Sequence, residues 1–130
     1  MDLGLKGKGA IVAAASKGIG KAAALRLAQE GAKVAICSRN EDALKKAADE
    51  IRMSSGGVVL PIRADVTQDE DIKNLVGQTA AAFGRIDILV NNAGGPPTGI
   101  FEELTDEHWQ GAFRLTLLSV IRLIREVLPH

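Results

Sequence analysis

Tyrosine is absent from this 130-residue chain, and cysteine, histidine and net charge are scarce. The single cysteine, Cys37, has no partner for an internal disulfide, so no staple ties the fold to an oxidising compartment, and a reducing cytoplasmic setting is the default expectation. Cys37 itself, at a strand end, reads as a small buried apolar group. The two histidines, His108 and His130, are too far apart and too solitary for a metal site, and no metal is assigned. Sixteen basic residues balance sixteen acidic ones. No global field therefore draws the chain to nucleic acid or to an anionic membrane, and a small molecule is the expected ligand. There is no apolar run of about 18 residues to span a bilayer, and Met1–Lys6 lacks the layout of a signal peptide. The expectation is a soluble protein without nucleic-acid or membrane partners.

What is present is an apolar fraction of 46%, enough for one core but, at this length, not two. Residues 1–130 are read as one domain. Gly9–Ala14 is a short apolar run of the kind found in strands covered on both faces. Ile19, Ala23 and Leu27, flanked by Ala24 and Ala28, then recur at helical spacing up to Glu30-Gly31. Lys33–Cys37 predicts a second strand, and Asn40 an N-cap ahead of Leu44, Ala47, Ala48 and Ile51. Val58–Ala64 predicts a third strand. Its Pro61 lacks an N–H and so belongs at a sheet edge. Thr67–Glu70 reads as a capping box before a stripe of Ile72, Leu75, Val76, Thr79 and Phe83. Ile86–Val90 is the fourth strand, closed by the turn-forming run Asn91–Pro97. A last, longest helix is capped by Thr105 and carries Trp109, Phe113, Leu117, Val120, Ile124 and Val127, with Trp109 and Phe113 read as core anchors. Four strand–helix alternations imply a doubly wound parallel α/β sheet of Rossmann type. The last helix is so apolar that cover on a second side is expected, from further C-terminal sequence or from a partner subunit.

The first strand leads into Ala14-Ala15-Ser16-Lys17-Gly18-Ile19-Gly20. Bare glycines at the mouth of a helix let a pyrophosphate approach its free N–H groups and positive dipole end. A glycine pair alone is mostly turn chemistry; its place inside a strand–helix–strand unit makes it a dinucleotide signal. At the end of the second strand, where a carboxylate would hold a ribose 2′-hydroxyl, the chain has Ser38-Arg39. The planar fork of Arg39 and the point charge of Lys17 suit a 2′-phosphate, which favours NADP(H) over NAD(H).

With Asp65-Val66 after the third strand, Asn91-Asn92-Ala93-Gly94 after the fourth and Trp109 in the long helix, the whole chain resembles the short-chain dehydrogenase/reductase family, 3-oxoacyl-[acyl-carrier-protein] reductase-like members in particular. The resemblance implies a strand order of 3-2-1-4, left incomplete on the C-terminal side. It also implies cofactor contacts from Ala14, Ser16, Lys17, Gly18, Ile19 and Gly20 of the turn, and from Ser38 and Arg39. Asp65 and Val66 would flank the adenine; Asn92, Ala93 and Gly94 would lie near the nicotinamide-side ribose, with Asn91 structural. Gly95–Ile100 would rim the substrate pocket. Ala13-Ala14 stands where the family has Thr-Gly, which adds a methyl where the backbone bends. Thr116 stands at the family's relay asparagine and has no amide. The family's serine, tyrosine and lysine lie beyond a fifth strand, and without tyrosine the 130 residues alone are expected to be inactive.

The implied activity is hydride transfer between NADPH and a carbonyl or alcohol substrate, with a 3-oxoacyl thioester favoured. The resemblance further implies a homo-oligomer, dimer or tetramer, built through the helix around Leu117–Ile124. The alternatives are a non-catalytic NADP-binding or oligomerising module, and a truncated fragment of an enzyme.

Overall fold

The computed structural model describes residues 1–130. Four parallel strands, β1 (Gly9–Val12), β2 (Lys33–Ser38), β3 (Val59–Arg63) and β4 (Ile88–Val90), form one sheet in the order β3-β2-β1-β4. Ile11 sits between Ala35 of β2 and Leu89 of β4. All of β1 is buried, because helices cover the sheet on both faces, so its apolar residues need not alternate. Pro61 pairs with Ile36 and lies on the edge strand, where its missing N–H leaves no ladder bond unmade.

Helices α1 (Gly18–Gln29) and α2 (Glu41–Ser55) pack on one face. There Ala24, Ala28, Leu44, Ala47, Ala48 and Ile51 meet Ala10, Val12, Val34 and Ile36. The small alanines of α1 let that helix lie close to the sheet. On the other face α3 (Asp69–Phe83) and α5 (Ser119–Val127) set Ile72, Leu75, Val76, Phe83 and Leu123 against Ile11, Ala35, Cys37 and Ile62. Asn40 caps α2 by accepting from the Ala43 amide at 3.0 Å, and Thr105 caps α4 (Asp106–Phe113) in a reciprocal box with His108. That capping is the work His108 does.

Four readings of the sequence are corrected. Thr67 does not cap α3: its hydroxyl and amide both turn back to Asp65 Oδ1, at 2.7 and 2.9 Å, and Gln68 is the N-cap residue without a side-chain bond. Ile19 is 84% exposed, because the sheet-facing stripe of α1 runs through Gly20, Ala24 and Ala28 instead. Trp109 and Phe113 are about half exposed, so they are not core anchors. The single long helix is divided: between α4 and α5 the residues Arg114–Leu118 widen into a π-helical turn. The hydroxyls of Thr116 and Ser119 donate to the carbonyls of Ala112 and Leu115, both at 2.6 Å. No helix is long and apolar enough to cross a membrane.

The foot of β1 is held by an ion pair that gives the fold an acid dependence. Arg85 grips Asp87 with two bonds of 2.7 Å, and Asp87 also accepts from the Gly9 amide at 2.9 Å. Arg85, then the Gly9 amide, hold the Asp87 carboxyl down at about 2. A carboxylate depressed on folding stabilises the native state above its unfolded pKa, and that contribution fades as pH falls through the folded value. The expected result is a loss of stability that starts as pH falls into the ordinary carboxylate range and is complete only below about pH 2, present in the parent and missing from Asp87→Asn. Denaturant melts across acid pH check it; identical pH profiles for the two proteins would refute the assignment.

Candidate functional site

The carboxyl ends of all four strands open on one cavity of about 610 Å³. The turn after β1 contributes Ala14, Ser16 and Lys17, and the end of β2 contributes Cys37, Ser38, Arg39 and Asn40. Ala64, Asp65 and Val66 come from the end of β3, and Ala93, Gly94 and Gly95 from the loop after β4. This is the crevice outside the strand ends at which open α/β sheets place ligands. Leu115, from the π-helical turn, closes one wall.

The turn after β1 is tied down from both sides. The Ala13 amide donates to Val90 O at 3.2 Å and the Ala15 amide to Cys37 O at 3.0 Å, so the chain leaves β1 still clamped between β2 and β4. Asn92 reaches across and donates its side-chain amide to Ala14 O at 3.1 Å. Asn92 therefore braces the turn from beneath rather than lining the cavity, while its neighbour Asn91 is exposed. Gly20 is buried under the same turn: a methyl there would stand 2.4 Å from Ala14 O and 2.7 Å from Asn92 Nδ2. Gly18, at φ +60°, has no heavy atom within 4 Å of where a methyl would stand, so the turn is bare on its outer side. No side chain caps α1, which leaves the amides of Gly18, Ile19 and Gly20 without an acceptor within the protein. In α2 and α4 the chain's own side chains fill that role.

Ala14 is the one non-glycine residue with positive φ, at +50°. The left-handed region costs an L-residue about 1–2 kcal/mol, against which glycine carries about 0.5–1 kcal/mol of extra chain entropy. Ala14→Gly is therefore expected to stabilise the protein by about 0.5–1 kcal/mol, a rise of roughly 2–4 °C in thermal unfolding. A fall in Tm would show that the methyl is accommodated without strain.

The electrostatics of the cavity come from Lys17, Arg39 and Asp65. Burial pushes the Asp65 carboxyl up, but the hydroxyl and amide of Thr67 and the charges of Arg39 and Arg63 outweigh it and leave it below the usual range. Asp65 is thus ionised and fixed in place. Cys37 is the opposite case: burial, partly offset by the Ala14 amide, pushes its thiol up to about 11, so it offers no thiolate near neutrality. Ser38 turns its hydroxyl to the backbone of Asn40, at 3.2 Å.

Of the residues singled out in the sequence, Gly18, Ile19, Gly20 and Asn92 shape or flank the turn, and the remaining cofactor candidates line the cavity. Thr116 does neither: it is exposed and its hydroxyl is spent on Ala112 O. Sequence reasoning missed Cys37, Asn40, Ala64 and Leu115 as cavity residues. Asn40 was legible as a cap beside Arg39. Leu115 lies in the π-helical turn, which has no local sequence signature.

The family model for short chain dehydrogenases matches residues 8–130. The chain belongs to that family. It is 37% identical over 126 residues to an uncharacterized oxidoreductase of Methylorubrum extorquens, covering 97% of this chain and 51% of that one. It is 37% identical over 124 residues to the glucose 1-dehydrogenase of Gluconobacter oxydans, covering 95% and 47%. The crystal structure of L-sorbose reductase from Gluconobacter frateurii, complexed with NADPH and L-sorbose, superimposes with a TM-score of 0.95 at 37% identity, covering 99% of this chain and 49% of that one. The chain spans about half the length of these relatives.

Proposed function

We propose that residues 1–130 form the NADP(H)-binding domain of a short-chain oxidoreductase that moves a hydride between NADPH and a carbonyl or alcohol substrate. The observation that carries this reading is the joint presence, on one strand-end cavity, of an uncapped helix behind a bare turn and of two cations, Lys17 and Arg39. The residues fit the cofactor. A pyrophosphate needs free N–H donors without a Cβ in the way: Gly18 leaves the outer side of the turn bare, and the amides of Gly18, Ile19 and Gly20 have no acceptor within the protein. A 2′-phosphate needs cations and no facing carboxylate at the end of β2, where Ser38 and Arg39 stand. Asp65 and Val66 would take the adenine end; Ala93 and Gly94 would take the nicotinamide-side ribose. When bound, the nicotinamide supplies the hydride.

Within these residues the protein binds and orients, and no tyrosine is present to exchange the substrate proton. On this reading the 130 residues alone bind cofactor without turnover. For the substrate we favour a 3-oxoacyl thioester; the names of the glucose and sorbose relatives make a sugar carbonyl the second choice. A cytoplasmic homo-oligomer joined through the helix face around Leu117, Ile121 and Ile124, which is exposed here, completes the proposal.

Fluorescence titration with NADPH and NADH tests it. NADPH is expected to bind at least about tenfold more tightly, the discrimination that charge-assisted bonds to one extra phosphate provide. Equal affinity, or failure to bind either, would overturn the reading. Turnover of a panel of 3-oxoacyl thioesters and ketoses with NADPH, measured in a protein in which these residues are followed by the family's serine, tyrosine and lysine, then decides the substrate class.

A further inference from the structure

Arg63 is the last residue of β3, paired in register with Ser38 at the end of β2, and neither the glycine turn nor the Asp65-Val66 motif accounts for it. Its Nε donates to the main-chain carbonyl of Arg39 at 3.3 Å, and its Nη1 lies 3.3 Å from Asp71 Oδ2. That same Asp71 oxygen accepts from the Asp65 amide at 2.9 Å. One guanidinium thus joins the loop that carries Arg39 to the first turn of α3 and, through Asp71, to the backbone of Asp65. Asp71 is itself well placed, since a carboxylate is favoured at a helix N-terminus.

We infer that Arg63 is a positioning residue for cofactor selectivity: by clamping the Arg39 carbonyl against Asp71 it holds the Arg39 guanidinium at the cavity. This deepens the NADP(H) reading and rests on it. A free loop would let the long Arg39 side chain swing into solvent, and the selectivity that depends on it would drop. The clamp needs the planar fork. Lysine keeps the charge but has no pair of fixed N–H vectors to reach a carbonyl and a carboxylate in different directions. Arg63 is half exposed and its ion pair adds little to stability, so its variants are expected to fold with nearly the parent Tm.

The test is titration of NADPH and NADH into the full chain and its Arg63→Gln, Arg63→Lys and Asp71→Asn variants. Arg63→Gln is expected to weaken NADPH about tenfold while NADH changes by less than about twofold, and Arg63→Lys to lose nearly as much. Asp71→Asn keeps an oxygen for the Asp65 amide but loses the charge that holds Arg63. It is expected to weaken NADPH about threefold and to add nothing in the double variant with Arg63→Gln. Parent-like NADPH binding by Arg63→Lys would overturn the inference in favour of bare charge. Equal losses for both cofactors, or no loss at all, would overturn it outright. A parent protein that binds NADPH and NADH alike would remove the NADP(H) reading first, and this inference with it.

Discussion

Replacing Gly20 by alanine is expected to destabilise the protein by about 2 kcal/mol and to weaken NADPH and NADH together. In an open helix the change would be favourable, since alanine exceeds glycine by about 1 kcal/mol in helix propensity. Here the new methyl would meet Ala14 O at 2.4 Å, Asn92 Nδ2 at 2.7 Å and the Ala14 carbonyl carbon at 3.0 Å. Two of those atoms are backbone, held by the clamp of Ala13 and Ala15 between the neighbouring strands, so they cannot swing aside as a side-chain end would. Overpacking of this kind costs about 1–3 kcal/mol, and displacing Asn92 from Ala14 O forfeits a further 1 or so. The clash outweighs the propensity gain, and Tm should fall by roughly 6–10 °C. Both cofactors share the pyrophosphate, so a distorted turn should penalise them alike. Gly18→Ala is the informative contrast: space is open there, and the cost should be only the strain of φ +60°, about 1 kcal/mol. A parent-like melt for Gly20→Ala would mean that α1 can back away from the turn.

Arg39→Ala is expected to weaken NADPH by about 10- to 30-fold and to leave NADH within about twofold. The lower part of the range for charge-assisted bonds applies because Arg39 is exposed and its field is screened. Raising the ionic strength should therefore narrow the gap between parent and variant. Stability should move by no more than about 0.5 kcal/mol, since no side-chain bond of Arg39 holds the fold together. Titrations at two salt concentrations, with melts of both proteins, separate a lost phosphate contact from a damaged cavity. A loss shared equally by the two cofactors would count against the 2′-phosphate assignment.

Local patterns made much of this molecule readable from its residues. Asn40, four residues ahead of an apolar stripe, announced the start of α2, and the missing N–H of Pro61 marked β3 as an edge strand. Gly18 and Gly20, between a buried strand and a helix, marked the end of the sheet where the cavity opens. The roles of the two glycines were less legible, since one is bare because it faces outward and the other because it is crushed inward. Helical spacing grouped Trp109 and Phe113 into a stripe but could not say that the stripe faces away from the sheet. Thr67, with acids behind it, had the pattern of a capping box, yet Asp65 lay nearer and took its hydroxyl.

Composition and periodicity by themselves determined the alternation of strands and helices, the all-buried character of β1 and the turn at which α1 begins, because each depends on residues a few positions apart. Only the tertiary structure decided which face of each helix meets the sheet, which of Asn91 and Asn92 braces the turn, and that Leu115, in the π-helical turn, lines the cavity. Those outcomes depend on atoms brought together from 78 positions apart, as in the Asn92–Ala14 bond, where packing and not local preference sets the energy. The clamp from Arg63 to Arg39 and Asp71 belongs to the same class: its residues sit on β3, on the loop after β2 and on α3, and folding alone makes them neighbours.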